Sequence, residues 1–111
     1  MNNKEIIERS NFITSFNEMA TKIHENAQNK GFWDKKRNDG ECIALMHSEL
    51  SEALEEMRKE NGDGYKIGME LADCVIRIMD YAIAKEINLG GRIIEKHEIN
   101  EQRPHKHGKK F

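Results

Sequence analysis

The sequence has few residues that cross-link or interrupt a chain: two cysteines, one proline and one tryptophan among 111 residues. Cys42 and Cys74 form no CxxC pair, which argues against a zinc ribbon and favours two core thiols in a reducing compartment. No apolar run approaches the roughly 20 residues that span a bilayer. The N-terminal segment MNNKEIIERSNF lacks the apolar core of a signal peptide. We therefore expect a cytoplasmic protein with no membrane partner.

Charged residues are abundant, at 34% of the chain, and apolar residues make up 37%. A composition rich in Glu, Lys, Ile, Met and Ala favours helices and predicts an all-α fold in one domain, residues 1–111. A subunit this small and charged buries limited apolar surface. We expect a four- to five-helix antiparallel bundle unit, completed by homo-oligomerisation as a homodimer or homotetramer. The net charge of −2 does not indicate a nucleic-acid partner.

Apolar residues recur at three- and four-residue steps along four segments, as on amphipathic helices. The third segment is apolar around most of its circumference, so we expect it to be buried on several sides. Asp39 is a plausible N-cap for the second. The predicted helices run from Lys4 or Asn11 to Asn29, from about Gly40 to Glu60, from about Tyr65 to Asn88, and from about Gly91 to Gln102.

Two acidic pairs, Glu49 with Glu52 and Glu70 with Asp73, stand in the second and third predicted helices. Each pair is spaced i, i+3, which places its members on one face of a helix. The turn signal at residues 61–64 lies between them and predicts a helical hairpin with Glu52 level with Asp73 and Glu49 level with Ile76. Four carboxylates that meet in this way are costly unless a cation joins them. A divalent cation is the expected occupant.

A polar seam continues along the third helix, where Glu70, Asp73, Arg77 and Asp80 fall within an arc of about 80°. Unpaired carboxylates on a buried helix need a partner, a metal or a raised pKa. Arg77 lies four residues after Asp73 and could be its structural partner. One arginine cannot balance all these acids, so the seam also favours a cation site.

Other residues leave alternatives open. Trp33 either closes the end of a helical core or offers a stacking platform for a nucleobase. Lys96, Asn100 and Arg103 share one helix face if the last helix extends that far. The basic tail HKHGKKF is either a frayed end or a pairing partner for the acidic seam.

These motifs resemble the all-α nucleoside triphosphate pyrophosphatases, specifically the MazG-like members, which are related to dimeric dUTPases and dCTPases. The resemblance rests on ExxE at Glu49–Glu52, ExxD at Glu70–Asp73, and the wording GFWD…RNDGE, IALMHSELSEALEE, ELADCVIRIMD and EKHEINEQRPHKHGKKF. It covers about residues 31 to 111. Ser48 stands where many members carry another glutamate, so the number of metal ions and the substrate range do not carry over.

The resemblance implies hydrolysis of a nucleoside triphosphate to the monophosphate and pyrophosphate by a metal-activated water. Mg²⁺, with Mn²⁺ as a substitute, would be held by the carboxylates of Glu49, Glu52, Glu70 and Asp73. Either Glu49 or Glu52 would orient the water. The implied substrate contacts are Lys96 and Arg103 with phosphates, Asn100 with ribose or phosphate, Asp80 with the sugar or base or instead a basic tail residue, and Trp33 and Asn38 near the base.

Two other classes of function remain compatible with the residues. A non-enzymatic helical dimerisation or regulatory module would pair its acidic seam with its basic tail, and metal would not change its melting temperature. A nucleic-acid partner would use Lys35, Lys36 and Arg37 with the C-terminal basic residues, and its binding would be strongly salt-dependent.

Overall fold

A computed structural model describes all 111 residues, and the fold is entirely helical. Helices account for 76% of the chain, and no strand is present. This confirms the all-α prediction and its four helices. The helices are α1 (Asn3–Asn29), α2 (Asp39–Met57), α3 (Gly64–Ala84) and α4 (Leu89–Glu101), followed by a short 3₁₀ turn at His105–Gly108.

Every α-helix begins at a polar side chain that accepts a backbone N–H of the first turn, which satisfies a donor left free by the helix. Asn2, Asn38, Asp63 and Asn88 serve as these caps. The prediction that Asp39 caps α2 was wrong by one residue, because the side-chain oxygen of Asn38 accepts Glu41 N–H at 3.0 Å.

The helices follow one another in a simple packing order. α2 and α3 form an antiparallel hairpin, α1 packs against α3, and α4 packs against α1. Arg9 bonds Glu98 at 2.8 Å, and Asn17 accepts Gly90 N–H at 3.0 Å. α4 therefore runs antiparallel to the N-terminal half of α1. None of the helices is both long and apolar enough to cross a lipid bilayer.

The core of the single chain is small. Only 12 of 111 residues are buried, and no large side chain is fully buried. The accessible surface is 8625 Å², against about 6,300 Å² expected for a monomeric protein of 12.9 kDa. The radius of gyration is 16.9 Å, where a compact domain of this length has about 13 Å. The chain is thus more open than a self-sufficient globular domain.

The exposed apolar surface is concentrated on the α2–α3 hairpin. On α2 it forms a stripe about 90° around the helix from the buried residues. The expectation that α3 is buried on several sides is wrong for part of the helix in the single chain. Neither α1 nor α2 covers its face with Leu71 and Val75, which are exposed. The exposed residues of this surface, each between 42% and 54% accessible, are Ile43, Leu50, Leu54, Met57, Leu71 and Val75.

Candidate functional site

The α2–α3 hairpin brings acidic residues of both predicted motifs together. One carboxylate oxygen from each of Glu49, Glu70 and Asp73 lies within 4.8 Å of the others, and we call these three residues the carboxylate cluster. Glu49 is buried, Glu70 is half-buried and Asp73 is exposed. Glu52 is exposed at the edge of the cluster, where its side chain contacts Glu70 and raises the pKa of that residue. Three of the four carboxylates that were predicted to meet are therefore grouped together, and Glu52 is not one of them.

The turn between α2 and α3 sets this alignment. Buried Glu56 accepts Asp63 N–H at 3.1 Å and Lys59 Nζ–H at 2.8 Å, so it ties the end of α2 to the cap of α3. A side chain on Gly62 would place its Cβ 2.4 Å from the Glu56 carbonyl oxygen, so this position requires glycine. The hairpin then carries Glu49 level with Arg77, one residue from the predicted alignment with Ile76.

Glu70 is the residue at which negative charge accumulates. Its side-chain contact with Glu52, its burial and its contact with Glu49 raise the pKa of Glu70 to about 7 from its ordinary value of 4.5. Its Oε2 atom is buried and has no hydrogen-bond partner. Such an orphaned buried oxygen is rare, because desolvation without a partner is costly. A proton or a cation at this position would satisfy the Glu70 oxygen.

Arg77 balances only part of the cluster. Its Nε–H donates to Glu49 Oε1 at 2.8 Å, and this bond lowers the pKa of Glu49. The sequence had suggested Asp73 as the arginine's partner, four residues away on the same helix. The structure instead shows an ion pair between helices, because the hairpin presents a more deeply buried carboxylate to the guanidinium.

A cavity of about 470 Å³ adjoins the cluster between α1, the α1–α2 loop and the hairpin. Positive, negative and apolar side chains line it, including two cluster residues. Phe32 and Lys22 were not among the predicted site residues, and Arg37 was named only for a nucleic-acid partner; the packing of α1 against α3 brings all three here. The lining residues are Lys22, Ile23, Asn26, Ala27, Phe32, Arg37, Glu49, Asp73, Ile76, Arg77 and Asp80.

Asp80 lies in the wall of this cavity and is held by side chains of the chain itself. Its oxygens accept Trp33 Nε1–H at 2.9 and 3.2 Å, and His24 Nδ1 lies 2.7 Å from Oδ1. Within the chain the basic side chains near Asp80 are therefore His24 and Arg37, and no residue of the tail pairs with it. Trp33 packs where α1 and α3 meet, in agreement with the core-closing alternative for this residue.

Asn38 does not line the cavity. Its side-chain oxygen is engaged in the N-cap of α2, where it accepts Glu41 N–H. Asn38 therefore has a structural role at the start of the helix that carries Glu49 and Glu52, and its position near a base stays a prediction.

Lys96 and Asn100 of α4, and Arg103 just beyond the end of that helix, also lie outside the cavity. α4 follows the N-terminal half of α1, where Glu98 bonds Arg9, whereas Ile23 of α1 lines the cavity. At 1.5 Å per residue these two positions on α1 are about 21 Å apart. A single chain does not bring the three residues to the cluster. The Oδ1 atom of Asn100 is buried without a partner.

The basic tail, which the non-enzymatic alternative pairs with the acidic seam of α3, forms no ion pair within the chain. None of Arg103, Lys106, Lys109 and Lys110 lies within 4.0 Å of a carboxylate. The site thus consists of the carboxylate cluster, Glu52 at its edge, and a cavity with free basic groups. Comparisons of the chain with models of protein families, with curated proteins and with solved structures find no match.

Proposed function

We propose that the protein is a Mg²⁺-dependent nucleoside triphosphate pyrophosphohydrolase of the MazG-like kind that the sequence resembles. The observation that carries the proposal is the carboxylate cluster, in which oxygens of Glu49, Glu70 and Asp73 converge within 4.8 Å and Glu70 Oε2 has no partner. Both acidic motifs contribute to it, as the proposed chemistry requires.

The donor set of the cluster fits a hard divalent cation. Mg²⁺ prefers carboxylate oxygens and water, and Mn²⁺ accepts the same ligands. Glu70 and Asp73 have no basic partner, and Glu49 keeps the oxygen that Arg77 does not use. Glu49, Glu52, Glu70 and Asp73 would hold the ion, which would neutralise phosphate charge and lower the pKa of water. A cation would also replace the proton that Glu70 otherwise retains near pH 7.

Of the two glutamates considered for orienting the water, Glu52 is the better candidate. Glu49 is bound by Arg77, and this bond lowers its pKa, which makes it a weaker base. Glu52 is exposed at the edge of the cluster and has no basic partner. Its carboxylate contacts Glu70 and no basic group, so with a cation in place of the Glu70 proton it would be able to accept a proton from water beside the phosphate.

The adjoining cavity suits a nucleotide. Its volume of about 470 Å³ falls within the range of roughly 300–1,000 Å³ that is typical of small-molecule sites. Phe32 lines it and is 61% exposed, so its ring offers the stacking surface that the sequence had assigned to Trp33. We propose that Phe32 contacts the base and that Trp33 and Asp80 hold the loop in place.

We further propose that the chain works as a homo-oligomer, a dimer or tetramer. The surface in excess of a compact monomer is about 2,300 Å². Large permanent interfaces bury roughly 1,000–2,500 Å² per subunit, so the excess is of the size that one such interface covers. The exposed apolar residues of the α2–α3 hairpin are the proposed place for it. The phosphate roles of Lys96, Asn100 and Arg103 are proposed for that assembly, in which α4 of a neighbouring copy approaches the cavity.

A non-enzymatic dimerisation or regulatory module is the second candidate, and the exposed apolar hairpin favours it equally. The two differ in their response to metal, because the module has no use for a cation. Two buried, unpaired cysteines support the proposed cytoplasmic location in either case.

The test is incubation of the protein with a panel of NTPs and dNTPs plus Mg²⁺, with measurement of monophosphate and pyrophosphate. We expect turnover of at least one nucleotide, and we expect Glu52→Gln and Asp73→Asn to abolish it without unfolding the protein. Glu55→Gln is the matched control, since Glu55 is an exposed α2 acid paired with Arg58. Folded wild-type protein that converts no nucleotide, or a cluster variant with wild-type turnover, contradicts the proposal.

A further inference from the structure

We infer that Lys22, Asn26 and Arg37 form a binding site for the anionic polyphosphate part of the ligand; of these residues the sequence had singled out only Arg37, as a contact for a nucleic-acid partner. They lie on α1 and the α1–α2 loop, in the wall of the cavity that adjoins the carboxylate cluster. The inference rests on the proposed function for the identity of the ligand. Its geometric basis is independent of that function.

Arg37 is held in place but keeps its hydrogen-bonding capacity. Its guanidinium stacks over the Trp33 ring at 4.9 Å from the centroid, and Nη1 lies 3.9 Å from Asp80 Oδ2. Its side chain is only 18% exposed. No protein atom accepts a hydrogen bond from it, although a guanidinium has five N–H donors. A cation fixed by stacking, with free donors at a cavity, is suited to bidentate contact with phosphate.

Lys22 and Asn26 of α1 supply further donors to the same cavity. They are spaced i, i+4 on α1 and therefore share one face of the helix. Both line the cavity, and neither side chain forms a hydrogen bond or ion pair within the chain. Together with Arg37 they place an ammonium, an amide and a guanidinium around one space.

The charged side chains of the cavity that have no strong partner fall into an acidic group and a basic group. Arg77 is engaged by Glu49, and the Asp80 carboxylate is engaged by Trp33 and His24. Asp73 is then the free anion, beside Glu70, while Lys22 has no ionic partner and Arg37 has only its 3.9 Å contact with Asp80. A ligand that satisfies both groups carries a metal-bound phosphate at the acids and further phosphate oxygens at the bases. A nucleoside triphosphate has this distribution of charge.

The test measures binding of inorganic tripolyphosphate in EDTA, so that no metal or turnover is involved. We expect wild-type protein to bind it, and Lys22→Gln and Arg37→Gln each to weaken binding about tenfold or more, as for the loss of a charged hydrogen bond. Lys36→Gln is the matched control, because Lys36 is a neighbouring exposed base that does not line the cavity. Lys22 is itself exposed on α1, so its variant should fold even if Arg37→Gln does not.

Three outcomes overturn the inference: no binding of tripolyphosphate by wild-type protein, unchanged binding by Lys22→Gln, or an equal loss with Lys36→Gln. In the turnover assay we expect Lys22→Gln to raise KM about tenfold or more with little change in kcat. Binding that depends on Lys22 and Arg37 without turnover of any nucleotide would support the anion site and contradict the proposed function. Turnover with an unchanged KM in Lys22→Gln would support the proposed function and contradict the anion site.

Discussion

Arg77 donates its Nε–H to Oε1 of Glu49 at 2.8 Å and so joins α3 to α2 beside the carboxylate cluster. One residue of the ExxE motif is thus held by an arginine as well as being a proposed metal ligand. This bond orients Glu49 and lowers its pKa, and it leaves the other Glu49 oxygen available. The excess negative charge is then concentrated at Glu70, Asp73 and Glu52.

Loss of the Arg77 guanidinium should destabilise the fold. In Arg77→Met, buried Glu49 loses its charged donor, and we expect the free energy of unfolding to fall by about 1–2 kcal/mol, since the arginine is partly exposed. Urea denaturation measures this change. Arg58→Met is the control, because its pair with Glu55 is exposed on both sides and should matter by less than about 0.5 kcal/mol. Equal effects of the two substitutions would contradict the structural role of Arg77.

The stability of the metal-free protein should decrease as pH rises toward and beyond 7. The pKa of Glu70 is about 7 in the folded protein and 4.5 ordinarily, so the folded state binds more protons between these values. The stabilisation from its proton is complete below pH 4.5 and is lost as pH rises through about 7.

Thermal unfolding in EDTA between about pH 5 and 8 checks this effect by comparing wild-type protein with Glu70→Gln. The wild type should lose more stability over this range, because the variant lacks the titrating group while both share all five histidines. Saturating Mg²⁺ should recover the loss in wild-type protein at the upper end of the range. Parallel pH profiles in EDTA would show that Glu70 does not retain its proton.

Local sequence signals predicted the hairpin and most of its site. The turn at residues 61–64 lies between the two motifs, so helical geometry placed Glu49 within one residue of its observed partner Arg77. The unsatisfied charge on α3 favoured a cation site, which stays a prediction, and three of the predicted ligands lie together in the structure. Helix ends were less accurate, because neighbouring residues Asn38 and Asp39 are both good caps and tertiary packing selects between them.

The remaining parts of the site depend on contacts between elements far apart in sequence. His24 meets Asp80, and Lys22 reaches the cavity, only because α1 packs against α3. The periodicity of α1 identifies its apolar face but not the helix that covers it. Lys96 and Arg103 were placed by resemblance, and the packing of α4 against the N-terminal half of α1 separates them from the cluster within one chain.

The carboxylate of Asp80 should be essential for the position of the α1–α2 loop. In Asp80→Asn, the charged acceptor for Trp33 and His24 is lost, and we expect a destabilisation of about 2 kcal/mol. Because Trp33 is the only tryptophan, its emission should report the change directly. Asp34→Asn, at an exposed position of the same loop, should leave both stability and emission nearly unchanged. Unaltered Trp33 emission in Asp80→Asn would contradict this anchoring role.

The exposed surface of the hairpin should mediate self-association. Analytical ultracentrifugation should show wild-type protein as a dimer or larger assembly, and Leu54→Glu or Val75→Glu should shift it toward monomer. Each introduces a charge into an apolar interface that must then be desolvated. Ile6→Glu, at a comparably exposed apolar position near the start of α1, is the control. A monomeric wild type, or assembly unaffected by both hairpin substitutions, would contradict the proposed interface.

The proposed divalent-cation site of Glu49, Glu52, Glu70 and Asp73 is tested most directly by calorimetric titration of Mg²⁺ or Mn²⁺ into the protein at about pH 7.5. We predict saturable binding by wild-type protein and by the control Glu55→Gln, with loss of binding in Asp73→Asn. Each variant should first be shown to be folded by its helical circular dichroism. Absence of binding by wild-type protein, or undiminished binding by Asp73→Asn, would contradict the account.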